Sequence, residues 1–292
     1  MTTRSPHVRL PEAIGVLGGG VMGAGIAHAF LVSGCLVQVV ERDEEQRVAA
    51  SARVLRSAAA SVERGSTTES LDALAGRLAV GTDDAAFAGC GLVIEAVPEV
   101  AELKIESLVR IRVVAPGAII ASNTSSISID ELGAALDDAS RFLGLHFFNP
   151  VPASKLVEVV RGAATSQQTL DAAQDWVAGI GKRAVTVRDA PGFASSRLGV
   201  ALGLEAIRML EHGVASAQDI DAAMELGYRH PVGPLKLTDI VGLDVRLGIA
   251  EYLHEKLGER FAPPQLLRDK VAAGELGRKS GRGFYEWPEA GA

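Results

Sequence analysis

Short apolar blocks alternating with stretches of helical periodicity organise the N-terminal part of the chain. An apolar run at 13–17 stops at Gly18-Gly19-Gly20, apolar positions at helical spacing fill 21–33 until Gly34, and a second run at 36–40 ends in Glu41-Arg42-Asp43-Glu44-Glu45. This spacing predicts strand, tight turn, helix and strand, a complete βαβ unit. Helical patterning over 44–69 and 71–75 leads to strands at 78–80 and 92–97; a helix over 100–114, a Pro116-Gly117 turn and a strand at 118–121 continue the alternation. Further strands are expected at 142–148, 156–160 and 183–187. Such alternation predicts an α/β fold on a mostly parallel sheet. After Asp189-Ala190-Pro191-Gly192 only helical periodicity remains, over 193–211, 216–226, 235–257 and 264–273. The expected organisation is an α/β domain over 1–188 followed by an all-helical domain over 189–292.

Composition narrows the class. Apolar residues make up 48% of the 292 residues and charged residues 22%, which describes a globular protein with a sizeable core. With 36 acidic against 29 basic residues the net charge is −7, so nothing global attracts the chain to nucleic acid or to an anionic membrane surface. Any anionic ligand must be met by local positive groups. The two cysteines, Cys35 and Cys90, have neither disulfide nor metal-ligand spacing, and no metal is implied. Residues 1–11 carry Arg4, His7 and Arg9 without the apolar core of a secretory signal, and no apolar run reaches membrane-spanning length. A cytoplasmic protein is expected.

Gly18-x-Gly20-x-x-Gly23 follows a strand and opens a helix, the context that makes a glycine pattern a dinucleotide-binding fingerprint and the fold Rossmann-type. Gly18 permits the sharp turn, Gly20 keeps side-chain atoms away from a pyrophosphate, and Gly23 lets helix and sheet approach. The helix start, including Val21 and Met22, offers free N–H groups to the phosphates. Glu41, at the end of the second strand, suits ribose hydroxyls and repels a 2′-phosphate, which favours NAD over NADP; the neighbouring Arg42 works slightly against that choice.

Beyond the fingerprint, Gly18 to Ala27, Ser122-Asn123-Thr124-Ser125-Ser126, Gly144-Leu145-His146-Phe147-Phe148-Asn149-Pro150, Lys155-Leu156-Val157-Glu158-Val159, Pro191-Gly192-Phe193 and Gly277-Arg278-Lys279-Ser280-Gly281-Arg282-Gly283-Phe284-Tyr285 occur in order along the chain. Together they resemble the L-3-hydroxyacyl-CoA dehydrogenase family, the bacterial 3-hydroxybutyryl-CoA dehydrogenase branch in particular. The resemblance implies NAD-dependent oxidation of a short-chain L-3-hydroxyacyl-CoA to the 3-ketoacyl-CoA, in a cleft between the two domains, by a homodimer.

It also implies roles. His146 matches the general base and Glu158 the carboxylate that orients it; taken alone, the first reads as readily as a core histidine at a strand end and the second as a solvated charge. A neutral-range imidazole with a carboxylate partner suits proton transfer from an alcohol. Ser125 matches the serine that holds the substrate oxygen, although a Ser/Thr-rich loop also uses such residues as caps. Asn149 matches a nicotinamide-side contact, and Asn123 a polar group facing cofactor or substrate. Glu99, Lys104 and Lys279 match cofactor-contacting positions, while Ser57 and Arg64 fall on positions that touch CoA. Ser196 stands where the family has an asparagine, so a shorter hydroxyl replaces an amide that positions substrate. Two rivals remain at this point: the same chemistry on a dicarboxylic hydroxyacyl-CoA or a sugar acid, and a non-catalytic NAD-binding structural protein.

Overall fold

The computed structural model describes residues 9–288; Arg4 and His7 lie outside the described residues. The chain divides into two compact units, Met1–Asp189 and Ala190–Ala292. In the first, β1 (Ala13–Leu17), β2 (Leu36–Val40), β3 (Leu78–Gly81), β4 (Leu92–Glu95), β5 (Ile119–Ser122), β6 (Phe142–Phe147), β7 (Leu156–Arg161) and β8 (Arg183–Arg188) form one eight-stranded sheet in the order β3-β2-β1-β4-β5-β6-β7-β8. All neighbouring strands run parallel except β6 and β7.

The central strands β1, β4, β5 and β6 are buried almost throughout, and so they read as continuous apolar runs. At the edge, β8 exposes Arg183, Thr186 and Arg188, charge and polarity that discourage pairing with another sheet. The connecting helices are α1 (Val21–Leu31), α2 (Glu44–Glu63), α3 (Leu71–Ala75), α4 (Ala101–Val114), α5 (Ile129–Gly133) and α6 (Gln167–Gly179). The chain leaves β1 in opposite directions towards β2 and towards β4, so the carboxyl ends of β1 and β4 flank the switch point at which ligands bind in such sheets. Cys35 and Cys90 are buried, and burial pushes both thiols up to about 11.

The second unit is helical: α7 (Ser195–Glu211), α8 (Ala217–Tyr228), α9 (Pro234–Val241), α10 (Leu243–Leu257) and α11 (Gln265–Ala272) pack around Leu204, Ile207, Leu235, Leu253 and Phe261. Two buried acids hold it together. Asp221 accepts from the Leu235 and Lys236 N–H groups at the start of α9. Asp239 accepts from the Phe284 and Tyr285 N–H groups and from Trp287 Nε1, which fixes the tail against α9.

The sequence pattern and the structure differ at identifiable places. The single helix expected over 235–257 is two helices, because Gly242 takes φ +105 between α9 and α10 while the apolar spacing runs on through it. The helix expected over 44–69 stops at Glu63, and Gly65 turns the chain away with φ +64. The pattern does not predict α5, which has only five residues, or α6, which opens on the polar Gln167-Gln168-Thr169 and is started by the Ser166 side chain accepting from Thr169 N.

Lys104 is buried against the ends of β4 and β5. Expected at the cofactor, it is 1% exposed and fully engaged inside the unit. Its Nζ donates to Glu95 Oε1 at 2.8 Å and Val97 O at 3.2 Å, and lies 3.2 Å from Glu99 Oε2. Three acceptors match three ammonium protons. Glu95 is fully buried and accepts in addition from Val97 N at 2.7 Å and Ser122 Oγ at 2.6 Å. The pair therefore ties α4 to the ends of β4 and β5. Removing the lysine strands a buried carboxylate: Lys104→Met is expected to lower the unfolding free energy by about 3–5 kcal/mol in urea denaturation. A loss below about 1 kcal/mol contradicts this role.

Candidate active site

The turn between β1 and α1 is built for an anion. Gly18 adopts φ +90, outside the range of other residues, and lies where a Cβ would meet Ala96 O at 2.9 Å. A Cβ on Gly23 would stand 1.8 Å from Gly18 O, so only glycine lets α1 start here. A Cβ on Gly20, by contrast, would meet nothing within 4 Å: this is open space in front of the helix. No side chain caps α1 and its first turn holds no acid, which leaves its N–H groups and the positive end of its dipole to a ligand. Val21, in that first turn, is 69% exposed, apolar surface that a bound molecule would cover. Met22 is partly buried. These features fit the diphosphate of a dinucleotide.

Glu41, just beyond β2, sits over the same turn. Its Oε1 accepts from Gly19 N at 2.7 Å. Arg42, the residue that could have welcomed a 2′-phosphate, is turned to Asp43, with Nε donating to Oδ2 at 3.0 Å. A carboxylate thus faces the turn without a counter-ion from its neighbour, which fits the hydroxyls of NAD better than the phosphate of NADP.

At the far end of β4, Glu99 organises the loop after β5. Its Oε1 accepts from Thr124 Oγ1 at 2.6 Å, from Ser125 N at 2.8 Å and from Ser125 Oγ at 3.2 Å, and Ser126 adds N–H and hydroxyl donors. Burial works against the charged carboxylate, but Lys104, the Thr124 hydroxyl and the Ser125 N–H outweigh it and hold Glu99 below the usual carboxylate range. Ser125 is therefore presented by a charged anchor rather than by a cap. Glu95 and Thr124 escape the sequence reading: the only signal for Glu95 is a carboxylate closing an apolar run, which the expected strand at 92–97 absorbs.

His146 and Glu158 are twelve positions apart in sequence and direct partners across the antiparallel β6–β7 pair. The two side chains meet at 2.8 Å, His146 Nδ1 to Glu158 Oε2, with side-chain exposures of 8% and 1%. An ionised carboxylate only accepts, so Nδ1 carries the proton and the basic lone pair is on Nε2. Phe148 packs its ring at 4.4 Å from the imidazole. Asn123 reaches the same strand end, its Oδ1 accepting from Phe147 N at 2.9 Å. It thus ties the β5 loop to the strand that carries His146. Asn149 is exposed just past β6.

Ser57 and Arg64 lie two turns apart on α2 and line one groove of about 520 Å³ together with His28, Ser61, Pro150 and Pro152. In the helical unit, Ser196 occupies the first turn of α7, following the left-handed Gly192-Phe193 pair with φ +72 and φ +50. Lys279, expected at the cofactor, donates from Nζ to Asp244 Oδ2 at 2.6 Å within the helical unit.

Comparison with known proteins agrees with this geometry over nearly the whole chain. Residues 13–190 match the family model for the 3-hydroxyacyl-CoA dehydrogenase NAD binding domain, and residues 192–287 match the model for the C-terminal domain of the same family. The 3-hydroxybutyryl-CoA dehydrogenase of Bradyrhizobium diazoefficiens is 41% identical over 94% of this chain and 95% of its own. That of Mycobacterium tuberculosis H37Rv is 42% identical over 94% of this chain and 98% of its own. Among solved structures, the (S)-3-hydroxybutyryl-CoA dehydrogenase of Ralstonia eutropha superposes with a TM-score of 0.91 at 39% identity, covering 96% of this chain and all of the other. With both of its units matched and relatives aligned across almost its full length, the chain belongs to the 3-hydroxyacyl-CoA dehydrogenase family and is an NAD-dependent dehydrogenase.

Proposed function

We propose that the protein oxidises a short-chain L-3-hydroxyacyl-CoA, 3-hydroxybutyryl-CoA in the first instance, to the 3-ketoacyl-CoA. The observation that carries this reading is the buried His146–Glu158 pair. Nε2 of His146 takes the proton of the 3-hydroxyl, and Glu158 stabilises the imidazolium that results. Ser125, held by Glu99, binds the 3-oxygen as hydroxyl and as ketone, a task for a group that both donates and accepts. NAD, when bound by Gly18, Gly20, Val21, Met22, Gly23 and Glu41, supplies the hydride acceptor. Asn149 faces its nicotinamide side, and Asn123 and Lys104 act by positioning, the first through the β6 strand end and the second through Glu99. Ser196 orients substrate with a hydroxyl in place of the family's amide. Ser57 and Arg64 contact the CoA portion, which supports a thioester over a free sugar acid. Among the described residues no helix is long and apolar enough to cross a membrane, and we read the enzyme as cytoplasmic.

Absorbance at the NADH band with acetoacetyl-CoA tests the reading. Turnover is expected with the CoA ester and NADH but not with acetoacetate or NADPH, and His146→Gln is expected to lower kcat by about 10²- to 10⁴-fold with NADH affinity retained. Absence of CoA-dependent turnover, or a variant within a few-fold of the parent, overturns it.

The helical unit leaves Leu198, Leu226, Tyr228, Val241 and Val245 exposed, apolar surface that a partner could cover. We assign it to a homodimer interface. Sedimentation is expected to give twice the 30.4 kDa chain mass, and Leu226→Glu to shift the protein towards monomer. A monomeric parent at micromolar concentration contradicts the assignment.

A further inference from the structure

His28 is the one polar side chain on the buried face of α1; the remainder of that face is Gly23 to Ala27 and Ala29 to Leu31. Its imidazole is only 4% exposed, and Nε2 lies 2.8 Å from Ser61 Oγ on α2. The other ring nitrogen, Nδ1, is buried without a hydrogen-bond partner. A simple bridge between two helices does not require a titratable ring with one nitrogen left over. The position is also not deep in the core: His28 forms the floor of the groove that Ser57, Ser61 and Arg64 line from α2 and Pro150 and Pro152 from the segment after β6.

The charges around this floor are all of one sign. At the C-terminal end of α2, Arg64 lines the groove and has no ion pair among the described residues. After α6, Lys182 adds positive potential at the ring, its Nζ donating to Val151 O and Ser154 O in the segment that carries Pro150 and Pro152. The segment containing Pro150, Pro152 and Ala153 contributes no charge, and no carboxylate lines the groove. Burial first, then Arg64 and Lys182, hold the His28 imidazole below its ordinary range, so the ring is neutral at neutral pH when the groove carries no anion. Phosphates placed beside Arg64 offset its positive field and so shift the imidazole towards its charged form.

We propose that His28 couples occupancy of this groove by a phosphate-bearing ligand, such as the nucleotide end of an acyl-CoA, to the uptake of a proton by the enzyme. The inference rests on the proposed placement of CoA against Ser57 and Arg64. Protonation occurs at Nδ1 or Nε2 of a ring already fixed by Ser61, with solvent as the source of the proton. Because the free-state imidazole is depressed and an adjacent phosphate raises it, uptake is expected on the acid side of neutrality, and the part of CoA affinity that depends on His28 rises as pH falls.

Calorimetric titration with coenzyme A at pH 6.0 in buffers of different ionisation enthalpy reads the proton count directly. The parent enzyme is expected to take up measurably more protons per site than His28→Gln, a variant that retains a hydrogen-bonding partner for Ser61. Subtracting the variant removes the titration of the ligand's own phosphates. Equal proton counts for the two proteins overturn the inference. Histidine ring NMR of the parent supplies a second reading independent of any variant: the His28 signal is expected to titrate at higher pH with coenzyme A bound, and an unmoved midpoint also overturns it. Arg64→Ala separates this inference from the reading beneath it. Weakening of coenzyme A binding by about tenfold with equal proton counts refutes only the coupling, whereas unchanged binding by Arg64→Ala refutes the placement of CoA and the coupling with it.

Discussion

The structure turns on one reversal of strand direction. Every neighbouring pair in the sheet is parallel except β6 and β7, and in that pair His146 stands directly opposite Glu158. Side chains of directly opposed residues share one face of a sheet, so the imidazole and carboxylate meet by register alone, without a loop to position either. A one-residue slip would turn one of the two to the other face. The apolar flanks Leu145, Phe147, Val157 and Val159 make that slip costly, because it would break their packing and place a buried charge among apolar side chains. Packing of the sheet thereby sets the geometry of the His146–Glu158 pair.

A second theme is how the first unit manages carboxylates. Glu95 is neutralised by Lys104 inside the protein, and Glu99 shares that lysine while facing the serine loop. A buried cation is thus used to hold a partly exposed anion, which in turn holds the loop that carries Ser125. Glu41 does the same for the glycine turn, accepting from Gly19 N. Each acid fixes backbone by accepting its N–H groups, and the second unit repeats the device with Asp221 and Asp239.

Much of this was readable before the coordinates. The glycine turn declares itself because steric demand leaves no substitute at Gly18 or Gly23, and central strands declare themselves by unbroken apolar runs. His146 and Glu158 became a pair only through family resemblance, since periodicity does not reveal which strands run antiparallel. Gly242 was misread because hydrophobic spacing is blind to a left-handed backbone between two helices of similar pattern. The burial of Lys104 was not legible in sequence: a lysine in a helix ordinarily faces solvent, and Glu95 on the adjacent strand end draws it inside.

The central claim is that Glu158 acts through His146 and not independently. A double-mutant cycle with His146→Gln, Glu158→Gln and both together, read as kcat/KM for acetoacetyl-CoA reduction, addresses it directly. If the two form one unit, the double variant loses no more than about threefold beyond His146→Gln alone. Losses that multiply across the cycle would show that the carboxylate contributes by a separate route and would contradict the account.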